Sequence, residues 1–278
     1  MTLWVPPQGL TRTLGSHASV RPGANFGATV TPGTGAYGSW VNLFSALTYA
    51  AAGIMISMNT NYASAASRNS VVKLGIDPAG GTSYTDLIPG LICGGASAYA
   101  GASAGGVWYY FPVAIPAGAS VAVAAYGSVA TDFYVNATLE TSPRGLVQAG
   151  SVVEAIGLAS NYVGTAITAG TTSEGAWTSL GTTTRALWWW QVGMQISTAD
   201  TNWTGTVFHV DLAYGDASNK TVILEDWYGS FGSAEVLHGQ GRTLGCEHLV
   251  PAGATLYARA QCSGSADPLV VAAYGVGG

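Results

Sequence analysis

Along 256–261 apolar and polar side chains alternate, with Leu256, Ala258 and Ala260 on one side and Tyr257, Arg259 and Gln261 on the other. A period of two is the mark of a strand with one face buried and one face wet. Runs of this kind, rich in Val, Ile, Tyr and Thr, recur near 40–49, 52–59, 70–76, 84–92, 107–114, 119–127 and 132–139. They return near 177–182, 185–197, 205–214, 220–231, 234–238, 243–250, 254–261 and 268–275, with Gly, Pro, Asn or Asp between them. No stretch of comparable length has helical periodicity. Seven or eight short strands per hundred residues predict an all-β chain of two tandem β-sandwich domains, jelly-roll or immunoglobulin-like.

The pattern is written twice. Thr31-Pro-Gly-Thr-Gly-Ala-Tyr-Gly-Ser-Trp40 returns as Thr168-Ala-Gly-Thr-Thr-Ser-Glu-Gly-Ala-Trp177, with five of ten positions identical. Ile115-Pro-Ala-Gly returns as Val250-Pro-Ala-Gly, and Val72-Lys-Leu answers Val210-Asp-Leu. The three shifts are 137, 135 and 138 residues, a drift that loop-length changes between equivalent strands produce. The domains read as 31–140 and 168–278, joined by a connecting segment at 141–167 whose middle, 146–158, is a candidate for an extra strand. In each Pro-Ala-Gly corner proline fixes φ and glycine permits a positive one, so both turns are architectural.

Residues 1–30 carry Pro6-Pro7, Gly9, Gly15, Pro22, Gly23 and Gly27 and no periodic pattern, which predicts an extended, unpaired N-terminal arm. Leu3, Trp4, Val5, Leu10 and Leu14 are too apolar for a solvated tail, so the arm is expected to dock on its own domains or on a neighbouring subunit. A second docking candidate lies on the strand after the first Pro-Ala-Gly turn. Its core set is Val121, Val123 and Ala125, but Ala122, Ala124 and Tyr126 stand where the second copy has Tyr257, Arg259 and Gln261. That small apolar face is expected to be buried against the twin domain or a subunit, or else to be a tolerated alanine surface.

Composition narrows the function. Only 8% of residues are charged and the net charge is −5. Such a chain lacks the basic stripe of a nucleic-acid binder. It also has little protection against association, which suggests built-in neighbours; an alanine- and glycine-rich codon bias is the other explanation. The first residues, Met1-Thr-Leu-Trp-Val-Pro-Pro-Gln, show neither the basic nor the apolar region of a secretory leader, and no apolar run is long enough to span a membrane. The expectation is a protein made and kept in the cytosol, without membrane insertion. Cys93, Cys246 and Cys262 are odd in number and give no disulfide framework, although Cys246 and Cys262 could meet across neighbouring strands.

Candidate chemistry is sparse. Cys246-Glu-His248 puts a thiol and an imidazole on one strand face, but nothing completes a zinc set, so no metal is expected. His209 and Asp211 alternate on one strand and read as a surface hydrogen-bonded pair. The run at 94–106 has no lysine to hold phosphate and reads as a long loop; Glu225 and Asp226 are adjacent and point to opposite faces. The chain is expected not to be an enzyme and to hold no cofactor. Aromatics are the remaining signal: Trp188, Trp190 and Trp227 could form platforms for sugar rings. Alternation sends Trp188 and Trp190 to one side of their strand and Trp189 to the other, and core packing is the competing use for them.

The hydrophobic-Pro-Ala-Gly strand starts, Ile115–Ala122 and Val250–Ala258, resemble the small β-sandwich modules of virion proteins in tailed bacteriophages and gene transfer agents. The resemblance implies a non-enzymatic structural component of the virion, in tail, baseplate, head appendage or capsid decoration. It would assemble as a homo-oligomer beside other virion proteins. A different class of function stays open: a carbohydrate- or receptor-binding module using Trp188, Trp190 or Trp227 on a host-surface glycan.

Overall fold

The computed structural model describes residues 11–14, 28–60, 70–93, 107–127, 133–141, 148–158, 164–196, 206–231, 246–264 and 268–278. Eighteen strands occur there and no helix. They are β1 (Thr11–Leu14), β2 (Ala28–Val30), β3 (Val41–Phe44), β4 (Gly53–Thr60), β5 (Ser70–Asp77), β6 (Thr85–Ile92), β7 (Val107–Phe111), β8 (Ser120–Gly127) and β9 (Phe133–Glu140). The second half gives β10 (Val152–Ile156), β11 (Thr165–Thr168), β12 (Thr178–Thr182), β13 (Leu187–Ile196), β14 (Thr206–Gly215), β15 (Lys220–Phe231), β16 (Cys246–Val250), β17 (Thr255–Cys262) and β18 (Pro268–Gly277).

Strand order identifies the sandwich type. In the first half β2, β9, β4 and β7 form one sheet and β3, β8, β5 and β6 the other. The antiparallel pairs β2·β9, β3·β8, β4·β7 and β5·β6 nest inside one another, so the chain is a ribbon of paired strands rolled into two sheets. That is a jelly roll, not an immunoglobulin fold. Adding nine to every strand number gives the second half: β11-β18-β13-β16 faces β12-β17-β14-β15. The edge strands β1 and β10 also correspond, pairing with β9 and β18. Thr11–Leu14 and Ala28–Val30 are therefore paired strands, which corrects the expectation of an unpaired arm through residue 30. Leu3, Trp4, Val5 and Leu10 lie outside the described residues, and of Leu14 only the backbone is described. β10 and all of β11 but Thr168 fall within the segment read as a connection.

Both Pro-Ala-Gly corners are tight, with φ of 86° at Gly118 and 79° at Gly253. The repeated Gly-rich motif also has a cause. In the first roll the amides of Gly33 and Gly38 donate to the single carbonyl of Ala125; in the second those of Gly170 and Gly175 donate to Ala260. Each motif is a loop clamped beside the same strand, and the tryptophan that ends it is delivered onto the outer face of the sheet.

The two rolls are joined through an aromatic seam. β6 and β7 are edge strands, and their open side meets the outer face of β10, β13 and β18. Tyr274 of β18 enters between them, edge-on to Tyr109 at 5.5 Å and to Phe111 at 6.2 Å. Its hydroxyl accepts the Ile92 amide at 2.7 Å, while Tyr109 donates to the Ile92 carbonyl at 2.7 Å. One β-branched residue at the end of an edge strand thus has both backbone groups satisfied by side chains from two domains. One pleat along, the Gln191 amide donates to the Tyr110 carbonyl at 2.5 Å and accepts from its N–H at 3.3 Å. Exposed strand edges invite unwanted pairing, and here the side chains of the second roll close them. Gly193 lies between these contacts, where an added Cβ would stand 2.8 Å from the Tyr109 hydroxyl and the Tyr274 ring.

Buried apolar residues form two clusters. The larger fills the first roll and runs through the seam to Val153, Trp189, Ala272, Tyr274 and Val276; the smaller fills the second roll. The tryptophans at 188–190 do not follow simple alternation. A bulge between Leu187 and Trp189 leaves Trp188 unpaired, so Trp188 and Trp189 both pack on the seam cluster while Trp190 enters the core of the second roll.

Candidate functional site

The outer face of β12-β17-β14-β15 gathers charged and aromatic side chains from four places in the chain. β14 supplies His209 and Asp211, β17 supplies Arg259, β15 supplies Asp226 and Tyr228, and the clamped loop supplies Glu174 and Trp177. Asp211 and Arg259 are directly opposite in the ladder. The guanidinium reaches Asp211 through Nε at 2.9 Å and Nη2 at 2.8 Å, pairs with Glu174, and lies 4.4 Å from the centre of the Trp177 ring. Such a cation is held on three sides at once.

Asp211 is buried and uses both oxygens. Its Oδ1 accepts the Asp226 amide at 2.8 Å, at a bulge where Asp226 takes the uncommon φ of 51°. The bulge turns the Asp226 carboxylate outward to His209, at 3.1 Å, and His209 meets the Tyr228 ring edge-on at 5.6 Å. His209 and Asp211 are thus not a pair with each other, which corrects the sequence expectation. Each binds Asp226, one its side chain and one its backbone. The Glu174 carboxyl is held above its ordinary value, chiefly by loss of surrounding water and then by the hydrogen-bonded Asp211 carboxylate; Arg259 opposes the shift. Oxygens of Glu174, Asp211 and Asp226 lie within 4.8 Å of one another, a spacing that could hold an oxygen-seeking cation, which would compete with Arg259 for the same atoms.

The first roll has a counterpart with the charges exchanged. Trp40 occupies the position of Trp177 and Lys73 that of Asp211, and Ala124 stands where Arg259 does. Lys73 Nζ sits 4.7 Å and 4.6 Å from the ring centres of Tyr37 and Trp40 and bonds Asp86 at 2.9 Å. A cation over a tryptophan, neutralised by an aspartate, survives in both rolls although different strands supply it.

The residues singled out from sequence are distributed as follows. Ala122 and Ala124 are fully buried and Tyr126 is half-buried. The cover comes from their own roll: Trp40 and Tyr84 lie against Gly75, the residue opposite Ala122, and Tyr37 meets Tyr126 edge-on at 6.4 Å. Trp190 is fully buried and its Nε1 donates to the His248 carbonyl, so it is no glycan contact. Trp188 and Trp227 are half-buried against the two cores. Cys246 donates to the Ile223 carbonyl, Cys262 is buried, and no disulfide joins them. Glu174, Trp177, Arg259 and Tyr228 were missed as a group, although the repeat marks Trp177 and the answer of Asp211 to Lys73 marks a changed charge.

No family model and no curated protein matches this chain. Among solved structures, PNGase F of Flavobacterium meningosepticum, described as a glycosylasparaginase, aligns over 96% of both chains at 8% identity, with a TM-score of 0.38. A second structure of this N-glycanase F gives 9% identity, the same coverage and a TM-score of 0.41. The CBM22-1–CBM22-2 tandem domain of Paenibacillus barcinonensis Xyn10C aligns over 98% of this chain and 92% of its own at 13% identity, with a TM-score of 0.25. An infectious bursal disease virus structure covers 99% of this chain at 10% identity, with a TM-score of 0.23. At these scores no residue, reaction or ligand carries over. The expectation that the chain is not an enzyme is contradicted by the comparison with PNGase F, one of several structures that align along nearly the whole chain. The surface itself fits a structural or binding role.

Proposed function

We propose that this chain is a glycan-binding protein that holds its ligand on the outer sheet of the second jelly roll. The observation that carries the reading is the patch around Asp226. Tyr228 is 51% exposed and offers an open aromatic face. Beside it stand the outward carboxylates of Asp226 and Glu174 and the fixed guanidinium of Arg259. Sugars are bound by such pairings, in which a ring stacks on an aromatic face while hydroxyls bond planar charged groups. Because Arg259 and Asp211 are locked before any ligand arrives, little ordering is required on binding.

A glycan array followed by titration of tryptophan fluorescence tests this. The wild type is expected to bind at least one neutral oligosaccharide, and Tyr228→Ala to weaken it about tenfold or more without changing the melting temperature. Absence of any bound glycan, or full affinity in Tyr228→Ala, sinks the reading.

A second reading is a tail, baseplate or head-appendage component of a tailed-phage virion. It draws on the 8% charge content and on the repeated sandwich unit. Mass spectrometry of purified particles decides it, since a virion component co-purifies at fixed stoichiometry and any other protein is washed away.

A further inference from the structure

Three cations of this protein share one kind of seat. Lys73 lies over Tyr37 and Trp40, Arg259 over Trp177, and Lys220 over Tyr257 at 4.6 Å from the ring centre. Carboxylates complete two of these seats, Asp86 for Lys73 and both Asp211 and Glu174 for Arg259. A positive charge is drawn to the negative face of the ring while the acid supplies its counter-charge.

Asp226 and Tyr228 have the ring and the acid of such a seat. They stand on the same outer face of β15, on either side of Trp227, which packs inward on the second core. The Asp226 side chain is 70% exposed, and Tyr228 is open beside it. His209 touches both, with Nδ1 on the Asp226 carboxylate and its ring edge-on to Tyr228, but it is charged only when protonated. Among the described residues no lysine or arginine lies over Tyr228. The neighbouring cations are engaged elsewhere: Arg259 turns Nε and Nη2 to Asp211 and Glu174, and Lys220 donates to the Ala217 carbonyl. Even with Glu174 protonated, Asp211 and Asp226 outnumber the one guanidinium between them. An acidic sugar is repelled from this surface, and a cationic one is drawn to it.

We propose that the Asp226–Tyr228 seat takes the ammonium group of an amino sugar, so that the surface prefers a glycan with a free amine to its N-acetylated counterpart. The inference rests on the glycan reading above. Tyr228 provides the stacking face for any sugar, and Asp226 selects the charge.

Calorimetric titration of the full chain with a glucosamine trimer and with the same trimer N-acetylated tests this, in weakly acidic buffer of low ionic strength that keeps the amines protonated. The glucosamine trimer is expected to bind about fivefold tighter, the combined worth of an exposed ion pair and an exposed cation–ring contact. Added salt is expected to narrow the gap. Asp226→Asn is expected to bring the glucosamine trimer down to the affinity of its N-acetylated form; asparagine tolerates the φ of 51°, so the bulge is kept. His209→Gln removes the group that can gain a competing charge in the seat, and the preference is expected to persist there. A glucosamine trimer that binds no better than its N-acetylated form or fails to bind, a preference that survives in Asp226→Asn, or one that vanishes in His209→Gln overturns the proposal. The glycan reading itself falls on different results, an empty array or full affinity in Tyr228→Ala.

Discussion

Replacing Tyr274 by Phe removes one oxygen from the seam and leaves the ring in place. The Tyr109 proton goes to the Ile92 carbonyl, so the hydrogen bond between the two hydroxyls is donated by Tyr274. Tyr274→Phe therefore strands the Ile92 N–H, which is buried, and takes a donor from Tyr109. A buried amide left without an acceptor costs about 1–3 kcal/mol. At roughly 2–4 °C per kcal/mol for a chain of this size, the melting temperature falls by about 4–8 °C for a loss near 2 kcal/mol. Tyr274→Ala also removes the ring from between Tyr109 and Phe111, and a core aromatic truncated in this way costs about 3–5 kcal/mol. Because Tyr274 belongs to one roll and its contacts to the other, the alanine variant is expected to split a single unfolding transition into two. Calorimetry and urea denaturation measure both effects. A Tyr274→Phe stability within about 0.5 kcal/mol of wild type, the range of ordinary surface substitutions, refutes the claim that the hydroxyl closes the β6 edge.

Three further outcomes follow from the same coordinates. Gln191→Leu leaves both backbone groups of Tyr110 without the side-chain amide and is expected to cost about 2 kcal/mol or more by urea denaturation; a neutral result would show that Gln191 does not close the β7 edge. Glu174 binds its proton more tightly folded than unfolded, so its stabilising contribution is full below the ordinary value of 4.5 and is lost as pH rises through the higher folded value. Glu174→Gln is expected to flatten this part of the melting-temperature profile above pH 4.5, and an unchanged profile contradicts the upward shift of the Glu174 carboxyl. Burial pushes the Cys93 thiol up to about 12 and that of Cys246 to about 11, so a thiol reagent at pH 8 is expected to spare Cys93 until the protein is denatured.

Much of the fold was legible because strand periodicity and turn chemistry are local. β5, β6, β8, β15 and β17 fall within a residue or two of the runs read from the chain, and the alternation of Leu256, Ala258 and Ala260 with Tyr257, Arg259 and Gln261 matches the burial of β17. What was illegible depended on register and on partners far away in sequence. A bulge of one residue sends Trp188 to the side of Trp189, and no composition rule announces it. Tyr109, Gln191 and Tyr274 look like ordinary strand residues until β6 and β7 are seen to lack neighbours of their own. The candidate site was hidden for a similar reason, since Glu174, Asp211, Asp226 and Arg259 come together only when a clamped loop, two ladder registers and one bulge are known.

The two copies show how one fold can give its faces separate tasks. The outer face of β18 carries Ala272, Tyr274 and Val276, all buried against the first roll, whereas the equivalent face of β9 carries Asn136, Thr138 and Glu140. Apolar area fixes domains to each other at roughly 25 cal/mol per Å² buried, so the apolar face holds the rolls together while the polar one adds no such driving force. On the opposite sheets the divergence runs the other way. The first roll closes Lys73 between Tyr37 and Trp40 and covers its alanine face with its own rings. The second moves the cation to Arg259, adds carboxylates at positions 174 and 211, and leaves Tyr228 and Asp226 open to solvent. Lys73 is half-buried between two rings and has one acid, Asp86, whereas Arg259 lies on a single ring and is shared by two acids. Recognition by this chain is therefore expected on the second roll, with the first serving as the wall that the seam makes rigid.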